Sequence, residues 1–267
     1  MDSQPQTWHH GLVADWWAAF NDDFRAHEIP YFREYLEDDG QPALDVACGT
    51  GRLLLPYLRA GLDVDGCDVS ADMVAACRRK AANEGLDPKL SVQPMHELDI
   101  PRTYRTIFVC GSFGVGSDRT RDAEALIRFR EHLEPGGTLL IDAGFGFADP
   151  AEWSAWAQEQ RASLPQTRQP ESDRRRTADG TELAISTRLI DVDPVEPQMT
   201  KAIRVERWRD GVLEAEEEHL LHHVVYFEDE LRQMLERAGF RDIVVHGEHE
   251  RRPPTSDDVF LVFAAKT

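Results

Sequence analysis

The chain has 267 residues, of which 41% are hydrophobic, so it can form one large domain or one domain with an insertion. Its 49 acidic and 30 basic residues give a formal net charge of −19. Because such a surface repels polyanions, we expect neither a nucleic acid nor an anionic membrane as a partner. No apolar run in the sequence approaches the roughly 18 residues of a membrane span.

The cysteines and the first residues indicate the compartment. Cys48, Cys67, Cys77 and Cys110 form no C-x-x-C pair, which predicts reduced, partly buried thiols. The opening Met-Asp-Ser-Gln-Pro has neither the basic nor the apolar segment of a secretory signal. We therefore expect a cytoplasmic protein, and the sequence leaves both a monomer and a homodimer open.

Residues 1–40 are rich in aromatic side chains in an amphipathic, helical pattern. One interpretation is a helical segment that packs on a neighbouring sheet, and the other is a lid over a ligand site. The aromatic residues are Trp8, Trp16, Trp17, Phe20, Phe24, Tyr31, Phe32 and Tyr35.

From residue 43 to residue 143 the chain alternates between strand and helix patterns. Strands are predicted at 43–48, 63–68, 89–93, 106–111 and 137–143, and helices at 51–60, 70–83 and 120–133. Such alternation indicates right-handed crossovers and a parallel sheet. A ligand is then expected beyond the carboxyl ends of the strands, at the topological switch point.

The first strand leads into a glycine loop, Ala43-Leu-Asp-Val-Ala-Cys-Gly-Thr-Gly-Arg52. Gly49 and Gly51 have no Cβ, so a ligand can lie against the backbone next to the positive end of a helix. Asp68 ends the second strand, where an acid can accept hydrogen bonds from ribose hydroxyls. A dinucleotide loop would have a third glycine at position 54, but Leu54 stands there, which argues against NAD and FAD.

Residues 150–226 interrupt the alternation with a short helix, a polar loop and three stretches of strand character. The strands are predicted at about 182–192, 199–209 and 212–226, with a solvated loop at 166–180 that includes Arg174, Arg175 and Arg176. A helix at 227–238 and strands at 241–247 and 258–265 complete the pattern. This interruption predicts an antiparallel insertion.

These motifs resemble those of class I S-adenosylmethionine-dependent methyltransferases. Asp45 occupies the acidic position of the first motif, and Ala47 stands where that family most often has a glycine. Asp68 matches the acid of the second motif, while Pro94 replaces an aspartate that often binds adenine in the third. The stretches 134–142 and 231–240 are similar to later motifs, and a β-rich insertion is typical of small-molecule N- and O-methyltransferases.

The resemblance implies a Rossmann-like α/β fold with a seven-stranded, mostly parallel sheet, an N-terminal helical lid and an antiparallel β insertion. Its expected parts are a lid at 1–40, a cofactor-binding α/β domain at 41–149 and 227–267, and an acceptor cap at 150–226. The implied cofactor is S-adenosyl-L-methionine, with S-adenosyl-L-homocysteine as the product.

The expected cofactor-binding residues follow from the same motifs and from the strand ends. Arg52 could bind the cofactor carboxylate or form a surface ion pair, and Val69 with Met95 could hold adenine or be ordinary core. The adenine amino group could be recognised by His96, by Glu97 or by the backbone. The full set is Asp45, Ala47, Cys48, Gly49, Thr50, Gly51, Arg52, Asp68, Val69, Met73, Met95, His96, Cys110, Gly111, Ser112 and Phe113.

The candidates for catalysis are His222, His223 and Tyr226, with a hydrogen-bonded or exposed structural role as the alternative for the histidines. Trp153 is expected with them in the wall of an acceptor pocket, while Asp142 and Ser112 are weaker candidates. No metal site is predicted, because His219 and His223 would lie about 13 Å apart on one strand face.

The predicted function is methyl transfer to a nitrogen or oxygen atom of a small molecule, such as a natural-product intermediate or an amino sugar. One alternative is a non-catalytic S-adenosylmethionine-binding regulatory protein. Another is a methyltransferase that acts on a protein or on RNA. An open acceptor cavity would favour the enzyme over the regulatory protein.

Overall fold

The structure is a computed structural model, which describes residues 9–22, 24–143, 147, 149–167 and 173–267. The helices of these residues are α1 (Gly11–Phe20), α2 (Glu28–Asp38), α3 (Leu54–Arg59), α4 (Ala71–Asn83), α5 (Arg119–His132), α6 (Pro150–Arg161) and α7 (Glu228–Arg237), with one short 3₁₀ helix at Met95–Glu97. The strands are β1 (Ala43–Val46), β2 (Val64–Asp68), β3 (Leu90–Val92), β4 (Tyr104–Val109), β5 (Leu133–Ala143), β6 (Asp173–Arg176), β7 (Glu182–Asp193), β8 (Gln198–Arg209), β9 (Val212–Val224), β10 (Arg241–Gly247) and β11 (Leu261–Lys266).

The larger sheet has seven strands in the order β10-β11-β5-β4-β1-β2-β3. The strands β1 to β5 run parallel, and β11 pairs antiparallel with both β5 and β10. The chain order reverses between β1 and β4, so a crevice opens beyond the carboxyl ends of these two strands. The predicted seven-stranded, mostly parallel sheet is confirmed.

Helices cover both faces of this sheet, as buried parallel strands require. On one face α5 and α7 pack over a core that includes Phe129 and Leu231. On the other face α2, α3 and α4 bury Phe32, Leu54 and Cys77. Ser70 is the N-cap of α4, because its side chain accepts a hydrogen bond from the Met73 backbone N–H at 3.2 Å.

The insertion forms a second, antiparallel sheet in the order β6-β7-β8-β9. Its strand β6 corrects one prediction, because Arg174, Arg175 and Arg176 belong to an edge strand and not to a loop, although they are exposed as the sequence indicated. The Arg174 guanidinium lies 3.6 Å from the centroid of the Trp208 ring, and Arg175 lies 4.5 Å from that of Phe20. Stacking on these rings stabilises the positions of the two guanidinium groups.

The N-terminal segment is divided between the two sheets. Tyr31, Phe32 and Leu36 of α2 are buried in the core of the larger sheet, whereas Leu12, Val13 and Trp16 of α1 pack on the insertion. The aromatic residues therefore serve two different helices. Trp8 lies outside the described residues.

Two backbone hydrogen bonds hold the start of α1. The Gly11 N–H donates to Asp72 of α4 at 2.9 Å, and the Leu12 N–H donates to Glu217 of β9 at 2.8 Å. Acidic groups stabilise a helix N-terminus, so α1 is fixed between the α/β domain and the insertion. No helix among the described residues is long and apolar enough to cross a membrane.

Candidate active site

A cavity of about 720 Å³ lies at the crevice between β1 and β4, roofed by α1 and by the insertion. This volume falls within the roughly 300–1,000 Å³ of typical ligand sites. The sequence-predicted residues that line it are Asp45, Ala47, Cys48, Gly49, Arg52, Asp68, Val69, Met73, Met95, His96, Cys110, Gly111, Ser112 and His223.

The loop after β1 takes an unusual backbone path. Ala47, Gly49 and Gly51 have φ values of +61°, +55° and +91°, in the left-handed region that favours glycine. A Cβ on Gly51 would lie 2.8 Å from both Cys77 Sγ and Leu55 Cγ, whereas one on Gly49 would meet only Met73 Cε, at 3.4 Å. Gly51 therefore serves the packing of the loop on the helices, and Gly49 leaves space at the cavity.

Asp68, the last residue of β2, is an acidic group that lines the cavity. Its Oδ2 accepts a hydrogen bond from the Gly49 N–H at 2.9 Å, and its Oδ1 accepts one from the Ser70 N–H at 2.8 Å. Burial raises the pKa of Asp68 to about 6, although these two hydrogen bonds stabilise the carboxylate. Each carboxylate oxygen keeps a free lone pair, so the pair can still accept bonds from two ligand hydroxyls.

Arg52 takes part in an ion pair that the sequence did not reveal. Its Nη2 lies 2.5 Å from Oε2 of Glu28, a fully buried residue of α2, and its Nη1 donates to the Phe24 carbonyl at 3.2 Å. Arg25 contacts the other oxygen of Glu28 at 2.8 Å. Arg52 lines the cavity, but its first partner in the protein is Glu28 and not a surface acid.

A second carboxyl group, that of Asp45, lies in β1, the strand that leads into the glycine loop. Burial raises its pKa well above the usual range, and the positive charge of Arg52 opposes that effect. The side chain is 3% exposed, so its contact with the cavity is small.

Apolar side chains line the cavity beyond Asp68. Val69 follows β2, Val92 ends β3, and Met95 with His96 belongs to the 3₁₀ helix that follows. Their placement next to the predicted ribose site fits a flat aromatic base. Pro94, Gln93 and Glu97 also line this end.

Three predicted cofactor residues do not line the cavity. Thr50 is fully buried, Gly51 faces the core, and Phe113 packs its ring 5.4 Å from that of Tyr226. They lie next to residues that do line it, so the motif indicated the correct segments. Phe145, which follows β5, lies outside the described residues.

The opposite end of the cavity is built by the insertion. Lys201 of β8 and Leu221 and His223 of β9 line it. Burial lowers the pKa of Lys201, and burial together with the charge of Lys201 lowers the pKa of His223 to about 3. The imidazole of His223 is therefore neutral at physiological pH, where it can accept or donate one hydrogen bond.

Backbone hydrogen bonds between β9 and the loop after β4 fix the position of His223. The Val224 N–H donates to the Gly114 carbonyl at 2.9 Å, and the Gly116 N–H donates to the His222 carbonyl at 2.8 Å. The insertion is thus attached to the cavity edge at this point.

The other two catalytic candidates and Trp153 are placed away from the cavity. His222 is on the exposed face of β9, where Nδ1 lies 3.0 Å from the Thr200 hydroxyl. The Tyr226 hydroxyl donates to the buried Asp122 carboxylate at 2.6 Å. Trp153 of α6 is fully buried against strands of the insertion, and its Nε1 donates to the Asp193 carbonyl at 2.9 Å.

Several cavity residues lacked a readable signal in the sequence. Lys201 belongs to an ordinary amphipathic strand, and Arg25 and Asn21 lie in a connecting turn. The aromatic density of the N-terminal segment did indicate Trp17 and Phe24. His9 lines the same side, and its carbonyl accepts a hydrogen bond from the Ser70 hydroxyl.

The comparison with known families agrees with this geometry. Residues 43–137 match the family model described as "Methyltransferase domain". This segment runs from β1 through the glycine loop and Asp68 into β5. This part of the chain is therefore similar to a methyltransferase domain.

Individual relatives extend the comparison. The chain is 32% identical over 101 residues to a dTDP-3-amino-3,4,6-trideoxy-alpha-D-glucopyranose N,N-dimethyltransferase of Streptomyces venezuelae, a match that covers 37% of this chain and 40% of that relative. The structure is similar to an S-adenosylmethionine-dependent methyltransferase from Clostridium acetobutylicum, with a TM-score of 0.71, 16% identity and 96% and 97% coverage of the two chains. It is also similar to the CcbJ methyltransferase from Streptomyces caelestis, with a TM-score of 0.67, 21% identity and 98% coverage of both chains.

Proposed function

We propose that the protein transfers a methyl group from S-adenosylmethionine to a nitrogen or oxygen atom of a small molecule. The observation that carries the proposal is one continuous cavity with two chemically different ends. Gly49 and Asp68 lie at one end, and Lys201 and His223 lie at the other. A site for a cofactor alone would not need the second end.

The residues present fit the proposed cofactor. Two ribose hydroxyls can donate to Asp68, and the apolar side chains of Val69 and Met95 can contact the base. S-adenosylmethionine, when bound, supplies a methyl group on a positively charged sulfonium sulfur. Aromatic side chains such as Trp17 and Phe24 offer faces toward which a cation is attracted.

The chain's own contribution to methyl transfer would be mainly positioning. An in-line displacement needs the acceptor atom aligned with the methyl group, and orientation alone can account for much of a rate enhancement. His223 has too low a pKa to store a proton at neutral pH, so its role would be to hold an N–H or O–H of the acceptor by a hydrogen bond. Of the three predicted catalytic residues, only His223 keeps a place in this proposal.

An amino sugar is the acceptor class that we favour. The support is the curated relative from Streptomyces venezuelae, whose name describes dimethylation of an amino sugar linked to a nucleotide. The match covers 101 residues, or 37% of this chain, so the acceptor class is proposed by analogy with that relative.

The regulatory alternative and the macromolecular alternative are less well supported. An acceptor end that remains open argues against a protein that only senses the cofactor. The net charge of −19 and the roof formed by α1 argue against RNA. The proposed location in the cytoplasm rests on the four unpaired thiols.

Calorimetry with S-adenosylmethionine, S-adenosylhomocysteine and NAD tests the cofactor. We expect both sulfur nucleosides to bind and NAD not to bind, because the loop lacks the third glycine. Tight binding of NAD without any response to the sulfur nucleosides would end the proposal.

Incubation of the protein with S-adenosylmethionine and a panel of nucleotide-linked amino sugars, free amines and phenols tests the activity. Product formation is followed by mass spectrometry of the acceptor and by release of S-adenosylhomocysteine. Methylation of purified tRNA or of a peptide library, with none of the small molecules methylated, would support the macromolecular alternative instead.

A further inference from the structure

A second cluster of reactive side chains lies next to the cavity, and one of its members, Cys110, also lines the cavity. It consists of Glu28, Cys110, Asp142 and His249. One ligand-type atom of each residue lies within 4.8 Å of the others. We propose that these four side chains form a binding site for one zinc ion.

The spacing of the four atoms suits a tetrahedral ion. Cys110 Sγ is 3.1 Å from Glu28 Oε2 and 3.6 Å from Asp142 Oδ2, and His249 Nε2 is 2.9 Å from the same Asp142 oxygen. Ligand atoms around a tetrahedral zinc are about 3.3–3.8 Å apart, given Zn–O, Zn–N and Zn–S bonds of about 2.0–2.3 Å. Small side-chain movements would therefore complete the coordination.

The donor set selects the metal. A thiolate and an imidazole are ligands that zinc prefers, whereas magnesium and calcium prefer oxygen atoms alone. Because all four donors come from the protein, no position is left for a substrate. The site would be structural, and it would join α2 and the loop after β10 to the carboxyl ends of β4 and β5.

The buried polar atoms of the cluster are only partly satisfied by the protein. In the described part of the chain, the 2% exposed Asp142 has Cys110 and His249 as its side-chain partners and no arginine. His249 Nδ1 is buried without a hydrogen-bond partner among the described residues. A buried carboxylate normally has a cation or several donors beside it, so a metal ion would supply the missing charge.

The surroundings already orient the ligands. The His249 ring packs against Tyr31, Phe32 and Phe260, with centroids 5.7, 5.8 and 6.1 Å away. His249 itself has φ of +58°, a strained conformation that tertiary contacts must hold. Arg25 and Arg52 fix both oxygens of Glu28, as outer-shell groups commonly do around metal ligands.

Binding would release one proton. A cysteine thiol with no metal bound keeps its proton at neutral pH, because its ordinary pKa is about 8.5. Formation of the Zn–S bond transfers that proton to solvent, with no change in oxidation state.

Zinc content and cobalt spectroscopy of the full-length protein test the site. The protein is stripped with a chelator, incubated with ZnCl₂, desalted and analysed for metal by mass spectrometry. We expect one zinc per chain, a higher thermal midpoint than the stripped protein, and no such effect of MgCl₂. Substitution with Co²⁺ should give a sulfur-to-metal charge-transfer absorption, which requires a thiolate ligand.

Variants then locate the metal. Cys110→Ser and His249→Gln should lower zinc affinity by at least about a hundredfold, because even outer-shell changes cost roughly 10–100-fold. Cys77→Ala is the matched control, since it removes a buried thiol of α4 outside the cluster and should retain zinc and the cobalt band.

Two results would overturn the proposal. One is a wild-type protein that retains no stoichiometric zinc and shows no change in thermal midpoint. The other is zinc binding that persists in both Cys110→Ser and His249→Gln. Neither readout depends on methyl transfer, so the proposed activity stands or fails separately.

Discussion

The two ends of the cavity differ in how the chain builds them. The cofactor end comes from consecutive segments at the switch point, where β1 leads into the glycine loop and β2 ends at Asp68. The proposed acceptor end comes from β8 and β9, about 150 residues later in the chain. The shape of the first end depends on the local backbone, which the sequence predicts. The second end is formed by side chains, and its shape depends on how the insertion packs on the larger sheet.

This difference predicts which substitutions should change cofactor affinity and which should change acceptor turnover. At the cofactor end, Asp68 is held by two backbone N–H groups, so its loss removes a fixed acceptor. At the acceptor end, alternate residues of one strand point to opposite faces, so a shift of one position decides whether a side chain reaches the cavity. The following predictions test this separation, beginning with the largest expected effect.

A change in α1 should affect both ends of the cavity. The start of this helix donates hydrogen bonds to Asp72 of the α/β domain and to Glu217 of the insertion. Deleting residues 1–21 should weaken both S-adenosylhomocysteine binding and acceptor turnover by at least about tenfold, since several contacts of about 1 kcal/mol are lost. Cooperative thermal unfolding should remain.

Deleting residues 1–36 is the contrasting variant. It also removes Phe32 and Leu36, which are fully buried in the core of the larger sheet, so cooperative unfolding should be lost. If both truncated proteins unfolded cooperatively, α2 would not be the core element that its burial indicates.

Asp68→Ala should lower affinity for S-adenosylhomocysteine by roughly 10–100-fold, because each charge-assisted hydrogen bond contributes about 1.5–3 kcal/mol. Acceptor affinity should be nearly unchanged. Calorimetry measures the first and steady-state kinetics the second. Asp68→Asn keeps one acceptor oxygen and should lie between wild type and Asp68→Ala, whereas a change within twofold for Asp68→Ala would place the ribose elsewhere.

Cofactor affinity should also depend on pH through Asp68. Burial raises its pKa to about 6, and only the ionised form accepts both ribose hydroxyls. Affinity should therefore be constant above about pH 7 and fall as pH decreases through 6, to roughly a tenth at about pH 5. The Asp68→Asn variant should show a flat profile over this range, and a wild-type profile equally flat would contradict the assignment.

His223→Ala should reduce methyl transfer by roughly tenfold through loss of one hydrogen bond of about 1–2 kcal/mol, while cofactor affinity stays within about twofold. His222→Ala is the matched control, because it changes the neighbouring residue on the exposed face of the same strand. It should leave both quantities unchanged. Equal losses in the two variants would show that strand stability, and not a cavity contact, is responsible.

The smallest expected effect concerns the loop backbone. Ala47 has φ of +61°, so Ala47→Gly should relieve strain and stabilise the protein by up to about 1 kcal/mol, which thermal unfolding can detect. Ala43→Gly, in the buried strand β1, is the control and should destabilise it. Destabilisation by both changes would show that the entropy gained by the unfolded chain outweighs any strain at Ala47.

Sequence reasoning predicted elements well where the pattern is local. Helix α4 was predicted within one residue of its observed bounds, since its apolar periodicity is a local pattern. It missed that Arg174 to Arg176 form an edge strand, because their pairing with β7 depends on a later part of the chain, although it predicted correctly that they are solvated. Sequence reasoning also placed Tyr226 in the cavity wall, whereas its hydroxyl donates a hydrogen bond to Asp122, which is far away in the sequence.

Apart from β6, the sequence by itself determined the order of the strands and helices, together with the glycine loop and the acid at Asp68. These depend on periodicity, on backbone conformations and on short spacings that any chain of this pattern must follow. Only the tertiary structure decided that His223 and not His222 faces the cavity, that Arg52 meets Glu28, and that Cys110 and His249 lie together. Contacts of this kind join residues tens to more than a hundred positions apart, and their geometry is fixed by packing and strand register, which no local pattern encodes.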